Sequence, residues 1–531
     1  MKFYLYNMKR SHKKKIVIIS VILVLAVALP IIGNLIIENK ISTLINSLPK
    51  HVDVVYSDIN ASMLSGNLEL ESPRIKVKGE TTDSIIFSAE LEQLRISDLS
   101  YWDYIFNDEL SIGAINIENA IIKYSYNPLI ENKNYSSNTF DKIKNSIHVE
   151  TIAVTNSDVL VTNFETDSTL LSLPRFNFEL SDFQTKSEPN KKQIPFTYKG
   201  FILEGENLKW SINAYENLSS QSLRITDSSA VFEAFGLKTK YTTQQLSDII
   251  NKERDHFDLT INQLTFKNLD YGFNTEDKFY LNSKRVEVDQ PQAEIYRDKL
   301  VADDLTEKPL YSKMLRNLGF NLGMDEVVLE NGYLKYSEKM NADSKAGTLE
   351  FKDLQASIIN LGNIYGEKDT KINVKSLFME SSPMEVDWSF KVQDTADRFV
   401  FKTDLGRIQA EEMNQFTGPN LNTQFEGVLE QTYFTVNGNP YTSIVDLKVR
   451  YDDLKVIALK ENGKDKKTLL SGIINLFVSN DSENKANDFR HSDTEQVERD
   501  TTKSVFNFIW LNIQDGLKSA MVGDGKREKD Y

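Results

Sequence analysis

Histidine is the side chain that most often serves both as a metal ligand and as an acid–base group near neutral pH. The chain of 531 residues contains five histidines and no cysteine. The histidines are His12, His51, His148, His256 and His491. No two of them stand at the i, i+4 spacing that would place two ligands on one helix face. The sequence therefore predicts no metal site, and the lack of cysteine excludes disulfides and thiol nucleophiles.

The other common catalytic devices are also missing from the sequence. No G-x-S-x-G, P-loop or G-x-G-x-x-G motif follows a strand-like segment. The 77 Asp and Glu residues include no pair that stands out, so they are interpreted as the solvated side of the fold. Gly523, Asp524 and Gly525 lack the spaced acidic residues of a calcium loop. We therefore expect no catalytic residues and no cofactor, and predict that the protein is not an enzyme.

The net charge of −15 argues against a nucleic-acid partner. A protein that binds a duplex needs a clustered basic face, and here Lys and Arg are interspersed among more numerous carboxylates.

Four copies of a short cassette organise the chain. In each copy apolar residues recur at a step of two, and then the phase shifts by one across an asparagine, at Asn119, Asn156, Asn268 and Asn331. A step of two marks one face of a strand, and asparagine tolerates left-handed backbone angles, so each asparagine predicts a bulge or tight turn. The apolar residues of the copies are Ile112, Ile115, Ile117 and Ile122; Val149, Ile152, Val154 and Val159; Ile261, Leu264, Phe266 and Tyr271; Met324, Val327, Leu329 and Leu334.

A short helix-like run precedes each copy, so the cassette predicts helix, strand, kink and strand. These runs are Leu99–Phe106, Phe140–Ile147, Gln244–Lys252 and Leu310–Leu318. The irregular spacing of the copies indicates a repeated β architecture with insertions, not a solenoid of fixed period.

Residues 16–37, IVIISVILVLAVALPIIGNLII, carry no charge and predict a transmembrane helix, since 22 residues would span about 33 Å. Residues 1–15 form a basic tail, which predicts a cytoplasmic N-terminus with the rest of the chain exported. A cleaved signal peptide is the alternative, because Ala26 and Ala28 form a small-x-small pair. Residues 38–52 continue the helical spacing and predict a membrane-proximal helix.

Residues 53–400 are dominated by alternation of apolar and polar residues, as in Val386, Trp388, Phe390 and Val392. Such strands have one apolar and one polar face. They predict a mainly β fold with short helices. The apolar face can be hidden in a sandwich of two sheets or in one elongated sheet curled into a groove, and the pattern alone does not choose.

The C-terminal part is predicted to consist of four segments. Residues 401–478 predict a further β region, residues 479–500 a flexible polar loop, residues 501–522 an amphipathic helix, and residues 523–531 a disordered tail.

The helix–strand unit DLSYWDYIFNDELSIGAINIENAIIKY and the closing segments resemble the AsmA-like proteins, relatives of TamB. The closing segments are DLGRIQAEEMNQFTGPNLNTQFEG, VDLKVRYDDLKVIAL, TLLSGIINLFV and ERDTTKSVFNFIWLNIQDGL. The resemblance implies a taco-like β-groove, anchored in the inner membrane and lying in the periplasm, that shields phospholipid acyl chains. It implies a contribution to lipid transport and outer-membrane homeostasis, and a possible outer-membrane or envelope protein partner. It carries over no catalytic residue.

If the apolar face holds lipid, the cassettes supply its lining. The candidate residues are Ile115, Ile117, Ile152, Val154, Leu264, Phe266, Val327 and Leu329. The alternative is a non-enzymatic envelope assembly or scaffold factor that acts through protein contacts at sheet edges or the terminal helix.

Overall fold

The structure is a computed structural model. It describes residues 26, 28, 30–43, 45, 46, 48, 50–79, 84–100, 109–127, 146–185, 196–379, 381–460, 489–493, 496–521, 526 and 527.

The protein is mainly β, as the alternation predicted. The strands of the N-terminal part are β1 (Val52–Val55), β2 (Asp58–Ser62), β3 (Asn67–Glu71), β4 (Arg74–Lys78), β5 (Ile85–Glu90), β6 (Gln93–Ser97), β7 (Glu109–Glu118), β8 (Ile121–Tyr126), β9 (Ser146–Asn163), β10 (Thr169–Thr185), β11 (Phe196–Thr197) and β12 (Gly200–Ser211). The following strands are β13 (Glu216–Thr226), β14 (Ser229–Thr239), β15 (Asp255–Phe273), β16 (Phe279–Asp289), β17 (Gln292–Asp298), β18 (Asn321–Lys339), β19 (Gly347–Gly362), β20 (Asp369–Phe378), β21 (Ser382–Lys391), β22 (Phe399–Leu405), β23 (Ile408–Gln409), β24 (Thr423–Gly438), β25 (Thr442–Ala458), β26 (Arg490–His491), β27 (Gln496–Glu498) and β28 (Lys526–Arg527).

The helices are short, apart from the first and the last. They are α1 (30–43), α2 (Thr243–Ile249), α3 (Tyr311–Arg316), α4 (Asn414–Leu421) and α5 (Val505–Met521), with a 3₁₀ turn at Ala410–Met413. Helices α2 and α3 lie where the second pair of helix-like runs predicted them. Helix α2 begins with a capping box, because the Thr242 side chain and the Gln245 side chain each accept a hydrogen bond from the other's backbone N–H.

The chain divides into two compact units, so the predicted body 53–400 does not form one unit. The first comprises Met1–Trp210 and Ser222–Asp227, and the second comprises Ser211–Gln221 and Ser228–Tyr531.

In the first unit, successive short strands act as two halves of long kinked strands. Strands β2, β3, β6 and β7 pair in that order on one side of the kink, and β1, β4, β5 and β8 pair in that order on the other. Both β7 and β8 then pair with the single long strand β9 in parallel. Strand β10 pairs antiparallel with β9 and β12.

In the second unit the strands pair in the order β14, β15, β16, β18, β19, β20, β21, β22, β24 and β25. Strands β16 and β17 are two halves of one kinked strand, and both pair with β18 in parallel. The parallel pairing follows from helix α3, which lies in the connection between β17 and β18, since parallel neighbours need a crossover.

The four cassette asparagines adopt left-handed backbone angles, which confirms the predicted kinks. Their φ values are +51° at Asn119, +47° at Asn156, +50° at Asn268 and +54° at Asn331. Asn156 Nδ2 donates to Asn119 Oδ1 at 2.6 Å, so neighbouring kinks are also joined through their side chains. Each kink shifts the alternation by one residue, which keeps the apolar side chains on one face.

Most of the predicted transmembrane helix lies outside the described residues, as does the basic tail 1–15. Residues 30–37 of the predicted span are helical and continue into the membrane-proximal segment as α1. Among the residues that the structure describes, no helix is both long and apolar enough to cross a membrane. The membrane-proximal helix ends before residue 52, because Val52 already lies in β1.

The C-terminal predictions need three corrections. The region 401–478 is not β throughout, since the 3₁₀ turn and α4 form the connection between β23 and β24. Residues 490–491 and 496–498 are strands and not a flexible loop, since both segments pair with β25. Residues 526–527 pair with β26, so this part of the predicted disordered tail is ordered.

Two of the predicted helix-like runs lie largely outside the described residues. Residues 101–106 and 140–145 are not described, and Ile147 belongs to strand β9. The apolar segment 468–478 also lies outside the described part of the chain.

Candidate functional site

The strand register of the first unit aligns apolar side chains into two rows that cross seven strands. Adjacent members of each row are directly paired residues on neighbouring strands. The Ile115 row consists of Ala61, Leu68, Ile96, Ile115, Ile152, Leu180 and Phe201. The Ile117 row consists of Ile59, Leu70, Leu94, Ile117, Val154, Phe178 and Leu203.

The second unit repeats this arrangement over ten strands. The Phe266 row consists of Ala230, Phe266, Val286, Val327, Ile358, Ile372, Trp388, Phe401, Val436 and Val445. The Leu264 row consists of Phe232, Leu264, Val288, Leu329, Ala356, Val374, Val386, Thr403, Phe434 and Leu447. Because directly opposed side chains touch across strands, each row is a stripe of apolar side chains, which in the Leu264 row is interrupted by Thr403.

All eight residues that the sequence singled out lie on these rows. Ile115 is paired with Ile152, and Ile117 with Val154. In the second unit Val286 and Val288 link the remaining four, since each of these valines pairs with a β15 residue on one side and a β18 residue on the other. Seven of the eight side chains are partly exposed, and Val154 is buried at 9% exposure.

Sequence reasoning did not assign most members of the rows to the candidate face. Leu94, Ile96, Phe178, Val286 and Val288 are among the residues that share the face with the eight candidates. Their signal was available as strand alternation, but which strands become neighbours depends on long-range pairing that the pattern does not contain.

A helix covers one end of the apolar face in each unit. In the first unit the side chains of Ile37, Ile41 and Ile45 pack against Ala61 and Leu68 at the β2–β3 end of the rows. The spacing of four residues places these isoleucines on one helix face.

In the second unit helix α5 covers the β24–β25 end. Val436, Val445 and Leu447 are fully buried there, together with Phe508 of the helix. Gly516 lets the helix approach closely, because a Cβ at this position would lie 3.0 Å from Leu447.

The covered end is also fixed by polar contacts. Asn512 is fully buried, and its Oδ1 accepts a hydrogen bond from Ser443 Oγ at 2.8 Å. Helix α3 also packs against this cluster and makes two further contacts. Arg316 Nη2 donates to Asp397 Oδ1 at 2.9 Å, and the Tyr311 ring lies 5.3 Å from that of Trp388. Burial raises the pKa of the Tyr311 hydroxyl.

Away from the covered end of the second unit the Leu264 row is partly exposed, whereas Ala230 and Val286 of the Phe266 row are buried at 5% exposure. In the Leu264 row this exposure runs from Phe232 to Val386, across seven strands. At about 4.8 Å per strand such a stretch measures about 29 Å. The hydrocarbon of one bilayer leaflet is about 15 Å thick, so the stretch is longer than a lipid's acyl chain region.

The opposite face of the same strands is charged. Glu287 accepts hydrogen bonds from Lys267 Nζ at 2.7 Å and from Arg285 Nε at 2.9 Å, and Arg285 also bonds Glu326. The hydrogen bond from Lys267 lowers the pKa of the Glu287 carboxyl, with Arg285 acting in the same direction and partial burial opposing both. The sheet therefore presents one face to water and the other to apolar groups.

The charged face also carries a pocket of about 330 Å³ that is lined by residues of β21, β22, β24 and β25. Glu385, Asp387, Asp404, Asp446, Lys402 and Lys448 are among its lining residues. Burial raises the pKa of the Asp404 carboxyl, the hydrogen bond from Gln431 lowers it, and the charge of Glu385 raises it. The pocket is open and its charges are of both signs, as on a solvated sheet surface.

Among the described residues no group of three or more His, Asp or Glu side chains could hold a metal ion. No protein-family model matches the chain, and no curated protein matches its sequence.

Proposed function

We propose that the protein is anchored in the inner membrane and that its apolar sheet faces hold phospholipid acyl chains in the periplasm. In this role it contributes to lipid transport toward the outer membrane and performs no catalysis. The observation that carries the proposal is the partly exposed apolar stripe formed by the Leu264 row. The uncharged segment 16–37 and the resemblance to AsmA-like proteins support the location.

An apolar face of this kind retains a lipid against loss to water but does not fix it at one position along a row. Each CH₂ group kept from water contributes about 0.8 kcal/mol, so a lipid with two acyl chains does not leave for water on its own. Successive strands offer equivalent apolar side chains, so moving along a row exchanges one hydrocarbon contact for another. The face therefore supports sliding along the rows.

The test compares two lysine substitutions on adjacent residues of β15. In Leu264→Lys the new charge lies within the Leu264 row. In Gln263→Lys it lies on the charged face, where Gln263 is paired with Glu233 and Asp289. The full-length proteins are purified from detergent-solubilised membranes, and bound lipids are quantified by mass spectrometry.

We expect phospholipid on the unsubstituted protein and on Gln263→Lys, and several-fold less on Leu264→Lys. Absence of lipid from the unsubstituted protein, or equal lipid on both variants, contradicts the proposal.

The second candidate is a scaffold factor that acts through protein contacts. It is favoured by Phe506, which is 58% exposed at the start of helix α5 although its ring lies 6.2 Å from that of Trp388. This role needs no lipid on the face. Envelope function that survives Leu264→Lys therefore favours the scaffold role over the lipid role.

A further inference from the structure

The turn between β2 and β3 exposes an unusual pair of apolar side chains. Leu64 is 82% exposed and Met63 is 45% exposed. The turn is held rigidly, because Gly66 has a φ of +67° and its carbonyl accepts a hydrogen bond from the Leu99 N–H at 2.9 Å. A Cβ at Gly66 would lie 2.7 Å from the Leu99 carbonyl oxygen, so the backbone there can approach only with glycine.

This turn is joined to helix α1 by two hydrogen bonds. The Met63 N–H donates to Asn34 Oδ1 at 2.7 Å, and the Ala61 N–H donates to Glu38 Oε1 at 3.2 Å. The position of Leu64 relative to the helix is therefore set by the fold.

The same stretch of the helix has a second apolar face. Ile37 and Ile41 face the sheet, whereas four side chains on the other side of the helix are between 52% and 55% exposed. The exposed apolar side chains of the helix and of the turn it contacts are together called the tip patch; they are Ile31, Ile32, Leu35, Ile36, Met63 and Leu64.

The chain itself indicates what covers the tip patch. Ile31, Ile32, Leu35 and Ile36 belong to the last part of the uncharged run 16–37, whose length suits a bilayer. The helix residues of the patch therefore belong to the segment that is predicted to enter hydrocarbon. Lys40 and Lys50 follow it in the sequence, where cations can meet anionic headgroups.

We propose that the tip patch inserts into the leaflet from which α1 emerges, so that the Leu64 turn dips into its hydrocarbon. Ala61 and Leu68 flank this turn and begin the Ile115 row beneath Ile37, Ile41 and Ile45, so the helix-covered end of the apolar face lies at the leaflet. The part of the row beyond the helix is thereby held close to the leaflet from which lipid is loaded. The inference rests on the proposed function, and it adds the membrane contact that holds the apolar face in place for lipid loading.

The experiment uses the absence of cysteine from the chain. Full-length Leu64→Cys is labelled with an environment-sensitive fluorophore and reconstituted into vesicles of phosphatidylethanolamine and phosphatidylglycerol. The matched control is Leu305→Cys, since Leu305 is 71% exposed but lies beside Asp303, Asp304 and Glu307. Leu35→Cys reports the helix alone.

We expect the probe at residue 64 to shift its emission to shorter wavelengths, to be quenched by nitroxide lipids and to be shielded from aqueous iodide, as at residue 35. The probe at residue 305 should be quenched by iodide. Iodide quenching at residue 64 equal to that at residue 305 overturns the inference, whether or not residue 35 is shielded.

A second measurement separates this inference from the proposed function. Leu64→Asp should slow lipid loading from vesicles several-fold, whereas Leu305→Asp should leave it unchanged. If the protein binds lipid and Leu64→Asp loads at the normal rate, the inferred role of the turn in loading is wrong and the lipid-holding role stands. If the unsubstituted protein binds no lipid while residue 64 is shielded, the membrane contact stands and the function is wrong.

Discussion

Two parts of the apolar face in the second unit have the same pattern and different surroundings: the covered end at β24–β25, and the part around β15 and β18, here called the open end. Val327 and Val436 both belong to the Phe266 row, yet Val436 is fully buried beneath α5 and Val327 is partly exposed. The difference does not come from the strands. It comes from helix α5, because the hydrophobic cluster that this helix completes includes Val436 and does not include Val327. An apolar strand face is therefore a core or a binding surface according to what covers it.

The largest expected effect comes from placing the same charge at both positions. Val436→Lys buries an unpaired ammonium group and should destabilise the second unit by about 3–5 kcal/mol or more. Val327→Lys should cost only about 1–2 kcal/mol, because its long side chain can reach water. Urea unfolding followed by tryptophan fluorescence measures both, since Trp388 and Trp510 lie at the covered end. Equal losses would mean that the open end is packed as tightly as the covered one.

An intermediate effect is expected from removing a phenylalanine at each end. Phe508→Ala leaves a cavity where the side chain is 1% exposed, and should cost about 3–5 kcal/mol. Phe266→Ala removes a partly exposed ring and should cost about 1–2 kcal/mol, in proportion to its smaller buried area. Hydrogen exchange of β15 and β25 amides provides the local readout. A larger loss for Phe266→Ala would contradict the assignment of the open end.

The smallest effect concerns the charged face of the open end. Since the folded-state pKa of Glu287 lies below its unfolded value, this carboxylate stabilises the fold above the unfolded pKa of about 4.3 and loses that contribution as the pH falls through the folded value. The pair is largely exposed, so the contribution should be below about 1 kcal/mol and should weaken with salt. The urea midpoint of the unsubstituted protein should therefore fall more between neutral pH and about pH 3 than that of Glu287→Gln. The control is Glu276→Gln, an exposed carboxylate in a turn. Parallel curves for the unsubstituted protein and Glu287→Gln would contradict the role of this ion pair.

Much of the fold could be predicted from local signals. The asparagine kinks, helices α2 and α3 and the terminal helix α5 follow from residue types and periodicity, because backbone preference and helix spacing are local properties. The strands at Arg490–His491 and Gln496–Glu498 were missed for the complementary reason. Their polar sequence predicts a loop, and only pairing with β25, with His491 and Ser492 buried beside it, makes them strands.

The candidate site was predictable residue by residue but not as a surface. The sequence by itself determined that each strand has an apolar side and that the asparagines preserve this side across the kinks. Only the tertiary structure decided which strands are neighbours, and hence that Leu264 and Leu329 join through Val288 into one row. It also decided where α1 and α5 lie on the sheets. The physical reason is that the hydrophobic effect is non-directional. Alternation shows that one side of a strand is apolar and favours burial, and long-range packing determines which groups cover that side.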